Sequence, residues 1–121
     1  MSRINQGAAA EEIAVAHERL RLGSENAGRL KYVGNRHGMG FDIQSCNSSA
    51  DSSARFIEVK SSSENGYVFL TERERANLSA LGASAWLYIV DVHLRKVIKT
   101  IQNPISLIEI DGTALTYKIK I

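Results

Sequence analysis

The sequence predicts an α/β (α+β) fold: a mixed β-sheet flanked by helices, with a C-terminal β-hairpin. Three observations lead there. An alanine-rich segment, Gly7 to Leu22, has strong helix propensity. Two short apolar runs, Phe41–Gln44 and Arg55–Lys60, are separated by a polar Ser/Asn/Ala/Asp segment, as two strands joined by a loop would be. Ala85–Val92 (AWLYIVDV) is almost wholly apolar, the mark of a strand covered on both faces.

In the first helix, Ile13, Ala16, His17 and Leu20 trace one face at helical spacing, and Gly23 is the expected stop. Glu11 and Glu12 read as favourable charge in the first turns or as acids reaching a neighbouring site. Leu30–Val33 is a candidate short strand, and Asn35–Gly40, with Arg36 and His37, a candidate loop. After the central strand pair, Ser61–Gly66 is a polar loop and Tyr67–Leu70 a short apolar segment. Thr71 and Glu74 match the S/T-x-x-E capping box and open a second helix that stops at Gly82. That helix directs Ala76, Leu78 and Leu81 inward and Glu72, Arg73 and Arg75 to solvent. His93–Arg95 reads as a turn and Lys96–Ile101 as a strand. Ile105–Ile110 and Thr113–Ile121 flank Asp111-Gly112, a strong hairpin signal.

At 121 residues, 44% hydrophobic and 23% charged, the chain reads as a single domain over 1–121 with a substantial core. A net charge of +2 permits a polyanionic partner without demanding one. The lone Cys46 excludes an intrachain disulfide and a multi-cysteine zinc site, and suits a reducing compartment. No apolar run reaches the length of a membrane span, and MSRINQG lacks a secretory pattern. The expectation is a soluble, cytoplasmic protein without a membrane partner.

The chemistry concentrates in the strand pair. Strand alternation puts Ile57 and Val59 on one face, and Phe56, Glu58 and Lys60 on the other. If Ser45 pairs with Arg55, Asp42 lies opposite Glu58, with Cβ atoms about 4.5–5.5 Å apart. Two carboxylates so placed repel one another unless they splay into water or a divalent cation offsets the charge. Magnesium takes carboxylate and backbone oxygens and keeps several waters, so Asp42, Glu58 and the Val59 carbonyl form a candidate metal shell. Lys60, on the Glu58 face, could orient a water or stabilise developing negative charge. Gln44 shares that face. With Arg36, Ser61, Arg73 and Arg75 it makes up the candidate nucleic-acid contacts. The plain alternative is a solvated polar sheet face.

The D…(D/E)-x-K arrangement resembles the PD-(D/E)xK restriction-endonuclease-like superfamily. The ordered set GMGFDIQS…RFIEVKSSS…FLTERERANLSALG…WLYIVDV resembles the NO VEIN C-terminal-type domain, a nuclease-like family. The match covers roughly Gly7 to Val92; Phe41 stands where the superfamily motif has its proline. The resemblance implies a restriction-endonuclease-like core and a Mg²⁺- or Mn²⁺-dependent nuclease acting on DNA. It makes Asp42 and Glu58 the metal carboxylates and Lys60 the catalytic lysine. A glutamate from the first helix often joins such sites in a G-x-x-x-E setting. Gly7 to Glu11 has that spacing, while Glu12 lies nearer the helix's apolar face, so both stand as candidates. The resemblance equally allows a catalytically silent nucleic-acid-binding or protein-interaction module. It allows association with a larger ATPase- or helicase-type system, and a homodimer built on the C-terminal hairpin is a further reading.

Overall fold

The computed structural model describes residues 3–33, 40–63, 66–110 and 116–121. The predicted loop at Asn35–Gly40, apart from Gly40 itself, and the Asp111-Gly112 turn lie outside them. The elements are α1 (Arg3–Leu22), β1 (Lys31–Tyr32), β2 (Ile43–Cys46), β3 (Ala54–Ser61), β4 (Tyr67–Thr71), α2 (Glu72–Leu81), β5 (Ala85–Asp91), β6 (Lys96–Gln102), β7 (Glu109–Ile110) and β8 (Thr116–Lys120). Together they make an α+β fold with a mixed five-stranded sheet, two helices and a C-terminal strand pair.

The large sheet has the order β1-β2-β3-β5-β6. All its neighbours are antiparallel except β3 and β5, which run parallel. A parallel pair needs a crossover, and β4 with α2 supplies it. A second sheet, β4-β8-β7, joins the crossover strand to the C-terminal hairpin. The hairpin is present, but its first arm is shorter than predicted, because Pro104–Leu107 forms a 3-10 turn instead of strand. Proline at the start of that turn pre-sets its φ and has no N–H to give to a ladder.

Alternation along β3 divides the core. Ile57 and Val59 meet Ala10, Ile13 and Ala14 of α1, together with Ile43, Tyr88 and Val90. On the opposite face Leu87 and Ile89 join Leu78 of α2, Val68, Leu70 and Ile119. β5 is therefore covered on both sides, as its apolar run predicts, and Trp86 and Tyr88 are core residues.

Three details differ from the sequence reading. Helix α1 begins at Arg3, so Glu11 and Glu12 lie mid-helix, away from the first turn. Its inward stripe is Ala10, Ile13 and Ala14, while Ala16 and Leu20 are exposed. The stripe turns because a charged residue, Glu18, is fully buried on it. In α2, Ala76 is exposed while Leu78 is buried.

Glu18 accepts two bonds from Arg21 (2.7 and 2.6 Å), one from Ser45 (2.6 Å) and one from Tyr88 (2.5 Å). Burial alone would raise its pKa; these four donors overcome that and hold it below the usual carboxylate range. Arg21 also donates to the carbonyls of Cys46 and Asn47, so the network ties α1 to the end of β2. No helix among the described residues is long and apolar enough to cross a membrane.

Removing one partner of a buried ion pair strands the other. Arg21 keeps 25% of its side-chain surface exposed, so Glu18→Ala is expected near the lower end of the known range, a loss of about 3 kcal/mol. Urea unfolding of wild type, Glu18→Ala and Glu18→Gln measures it, with the glutamine variant expected to lose less.

Candidate active site

The predicted register is present: Ser45 pairs with Arg55 and Ile43 with Ile57. The ladder then stops one residue short of an Asp42–Glu58 pair. The Asp42 N–H donates to the carbonyl of Ile57 (2.9 Å), and its carboxylate turns back to accept the Val59 N–H (2.8 Å). Asp42 is thus a hooked residue at the end of β2, held on the β3 backbone. Gly40 makes the approach possible. Its φ is +79°, and a Cβ there would lie 3.2 Å from the Asn77 side chain of α2, so the chain enters the site pressed against that helix.

Glu58 lies in the middle of β3, on the face turned to α2, and is buried. Lys60 follows on the same face, its Nζ 2.7 Å from Oε2 of Glu74. Val59, between them, gives its N–H to Asp42. The N–H and C=O of a strand residue leave along the same edge, so the Val59 carbonyl also points to the Asp42 side, past the end of β2.

The electrostatics follow from this crowding. Asp42 is raised from 3.8 to about 6, chiefly by burial and then by the negative charges of Glu11 and Glu74, against the pull of the Val59 N–H and Lys60. Glu58 is raised well above its ordinary value by burial first, then by Asp42 and Glu74. Glu74 moves the other way. Burial would raise it, but the hydrogen bond from Glu58 and the charge of Lys60 hold it low. The two shifts are opposite in sign, so the proton they share is favoured on Glu58, which donates to Glu74.

The remaining candidates fall into place around this centre. Glu11 accepts a hydrogen bond from Tyr32, whose hydroxyl it pushes up to about 12, and it acts on Asp42. Glu12 is exposed on α1. Gln44 pairs with Phe56, whose ring lies 4.8 Å from that of Phe41, and Ser61 closes β3. Arg73 is exposed on α2. Arg75 binds Glu72 (2.6 Å) and lies over the Tyr117 ring. Arg36 lies outside the described residues. The residue that the sequence reading did not place in the site is Glu74. Its only sequence signal was the capping box, and that box is present in full.

The site's donor chemistry suits a hard divalent cation. Half-buried Asp42 opposes ionisation of buried Glu58, the Val59 carbonyl leaves the strand on the Asp42 side, and magnesium accepts such oxygen donors while keeping waters of its own. Among the described residues no three His, Cys, Asp or Glu side chains form a closed metal cage, so the fit rests on Asp42, Glu58 and the Val59 carbonyl.

A strand pair bearing Asp and Glu-x-Lys, a crossover helix and a central buried strand make up an α+β domain. The chain belongs to the family of the C-terminal domain of Protein NO VEIN, whose model matches residues 10–102, about three-quarters of its length. No curated protein and no solved structure matches it.

The raised acids make a stability prediction. Asp42 has a folded pKa above its unfolded value, so its contribution is most favourable below about 3.8 and is lost as pH rises through about 6. That displacement corresponds to about 3 kcal/mol. Asp42→Asn is therefore expected to be more stable than wild type near pH 8, by about 1–3 kcal/mol, and to lose that advantage near pH 4, with Glu58→Gln shifting in the same direction. Thermal melts across pH test the sign.

Proposed function

We propose that the chain is a Mg²⁺- or Mn²⁺-dependent nuclease domain that hydrolyses phosphodiesters in DNA. The observation that carries this reading is the pair Asp42 and Glu58: two desolvated acids, both raised by burial, with the charge of Asp42 further disfavouring ionisation of Glu58 and with Lys60 on the same face. A stability-driven sheet face would place neutral or solvated groups there. A cation would relieve the repulsion.

In this reading Asp42, Glu58 and the Val59 carbonyl hold the metal. When bound, the ion supplies Lewis-acid polarisation of the phosphoryl group and lowers the pKa of its water. The protein's own groups do the rest. The Val59 N–H fixes the Asp42 carboxylate. Glu58, whose ionisation is disfavoured by burial and by Asp42, would serve as a ligand in its ionised form. Lys60 places a positive charge two residues from that ligand, where it can stabilise charge developing on phosphate or orient water. Glu11 adds negative charge from α1 and Glu12 stands further out. Gln44, Ser61 and Arg73 are the proposed contacts to a nucleic-acid backbone, and Arg75 would first have to leave Glu72. Arg36 belongs to the same proposed contacts.

Plasmid DNA incubated with Mg²⁺, Mn²⁺ or EDTA tests the reading. Wild type is expected to cut only with metal, and Asp42→Ala or Lys60→Ala to cut about 100-fold more slowly or worse. Unchanged cutting by either variant would overturn the site. Salt-sensitive DNA binding without any cutting would instead identify a silent binding module.

Metal uptake has its own signature. Because Asp42 and Glu58 are both raised and bind a cation only when ionised, Mn²⁺ binding is expected to release protons and to tighten as pH rises through about 6. Calorimetry in buffers of different ionisation enthalpy reads that proton count.

A further inference from the structure

Besides accepting from Glu58, the Glu74 carboxylate serves two further groups. Its Oε1 accepts the Thr71 N–H (2.9 Å), while the Glu74 N–H donates to Thr71 Oγ1 (3.1 Å), closing the capping box at the start of α2. Its Oε2 takes Lys60 Nζ at 2.7 Å, across the interface between α2 and β3. A capping box needs only an acceptor at this position, and glutamine serves as well as glutamate. The second oxygen is what glutamine could not supply as a charge.

We propose that Glu74 is a positioning residue for Lys60: the helix cap fixes the carboxylate, and the carboxylate fixes the ammonium. This rests on reading Lys60 as the catalytic lysine. A lysine carries its charge on a flexible four-carbon stem. Asp42 and Glu58 both lie within electrostatic reach of it. Without a third partner the ammonium would settle on the acids that the metal requires. Glu74 draws it to the α2 side, leaving those acids open. Its own charge is favourable in the first turn of a helix, so the anchor does not oppose the fold. Both side chains remain partly open, at 25% and 23% exposure, so the held ammonium is reachable by substrate.

Three proteins separate this role from a structural one. Glu74→Gln keeps the cap acceptor and removes the charge. Thr71→Ala weakens the cap and leaves the carboxylate and the residue 71 N–H in place. Wild type is the reference. The side-chain ammonium of Lys60 is followed by ¹⁵N NMR, since an ion-paired ammonium exchanges slowly with water. Its signal is expected in wild type and in Thr71→Ala, and lost in Glu74→Gln. In DNA cleavage, Glu74→Gln is expected to lower kcat by about 10–100-fold with KM within about threefold. Its Mn²⁺ affinity, measured with the metal alone, is expected to stay within about threefold. Thr71→Ala is expected to melt about 3–6 °C lower and to keep kcat within about twofold.

An unchanged Lys60 signal in Glu74→Gln would overturn the proposal. So would a tenfold loss of Mn²⁺ affinity there, which would make Glu74 a ligand, or an equal loss of kcat in Thr71→Ala, which would make it only a cap. If wild type itself fails to cut DNA, the nuclease reading falls and the NMR comparison still decides whether Glu74 holds Lys60.

Discussion

Ile57 and Val59 leave β3 towards α1, and that commitment decides where Glu58 and Lys60 must go. A strand cannot bury two consecutive side chains on one face. Once α1 seats its small residues Ala10 and Ala14 against Ile57 and Val59, the acid and the lysine are turned into the layer under α2. Glu58 then lies beside the apolar register partner Leu87 and Lys60 beside Ile89. The site is a polar insertion into a face that is otherwise core. Its altered acidities follow mainly from that burial, and the neighbouring charges add to it.

The two helices serve this sheet differently. Helix α1 is fastened by a buried charge: Glu18 gathers Arg21, Ser45 and Tyr88 and fixes the helix over the end of β2. Helix α2 is fastened at its N-terminus, where Thr71 is both the last residue of β4 and the helix cap. Asp42 sits between the layers at the open end of β2. It feels Glu11 from one helix and Glu74 from the other, although those residues belong to opposite faces of the sheet.

Much of this was legible in the sequence. Alternation in RFIEVK and FDIQS gives the face of each side chain; the Ser45–Arg55 register had to be assumed, because the loop between the strands does not fix it, and the structure has it. The capping box and the apolar run of β5 are local signals that tertiary structure had no reason to override. What was not legible came from contacts between distant elements. Glu18 looks like any helix glutamate until Ser45 and Tyr88 are brought to it. Glu74 looks like a cap until Lys60 reaches it from another strand. Asp42 departs from the extrapolated ladder because the Val59 N–H attracts its carboxylate, and pairing rules for regular strands contain no such competitor.

The parallel pairing of β3 with β5 bears on how the chain reaches this state. β5 and β6 are joined by a short turn and form a local antiparallel ribbon. β3 meets β5 only after β4 and α2 have been laid across the gap, a closure whose entropic cost precedes its contacts. Until then the β2–β3 pair can hold Asp42, Glu58 and Lys60 together only as a solvated group, away from Glu74 and the layer that buries them. The burial that raises these acids, and the charge of Glu74, therefore enter only with the crossover that brings α2 over them. Neutralising an acid of this site would then be felt mainly in how slowly the native state opens, with little effect on how quickly the ribbon forms.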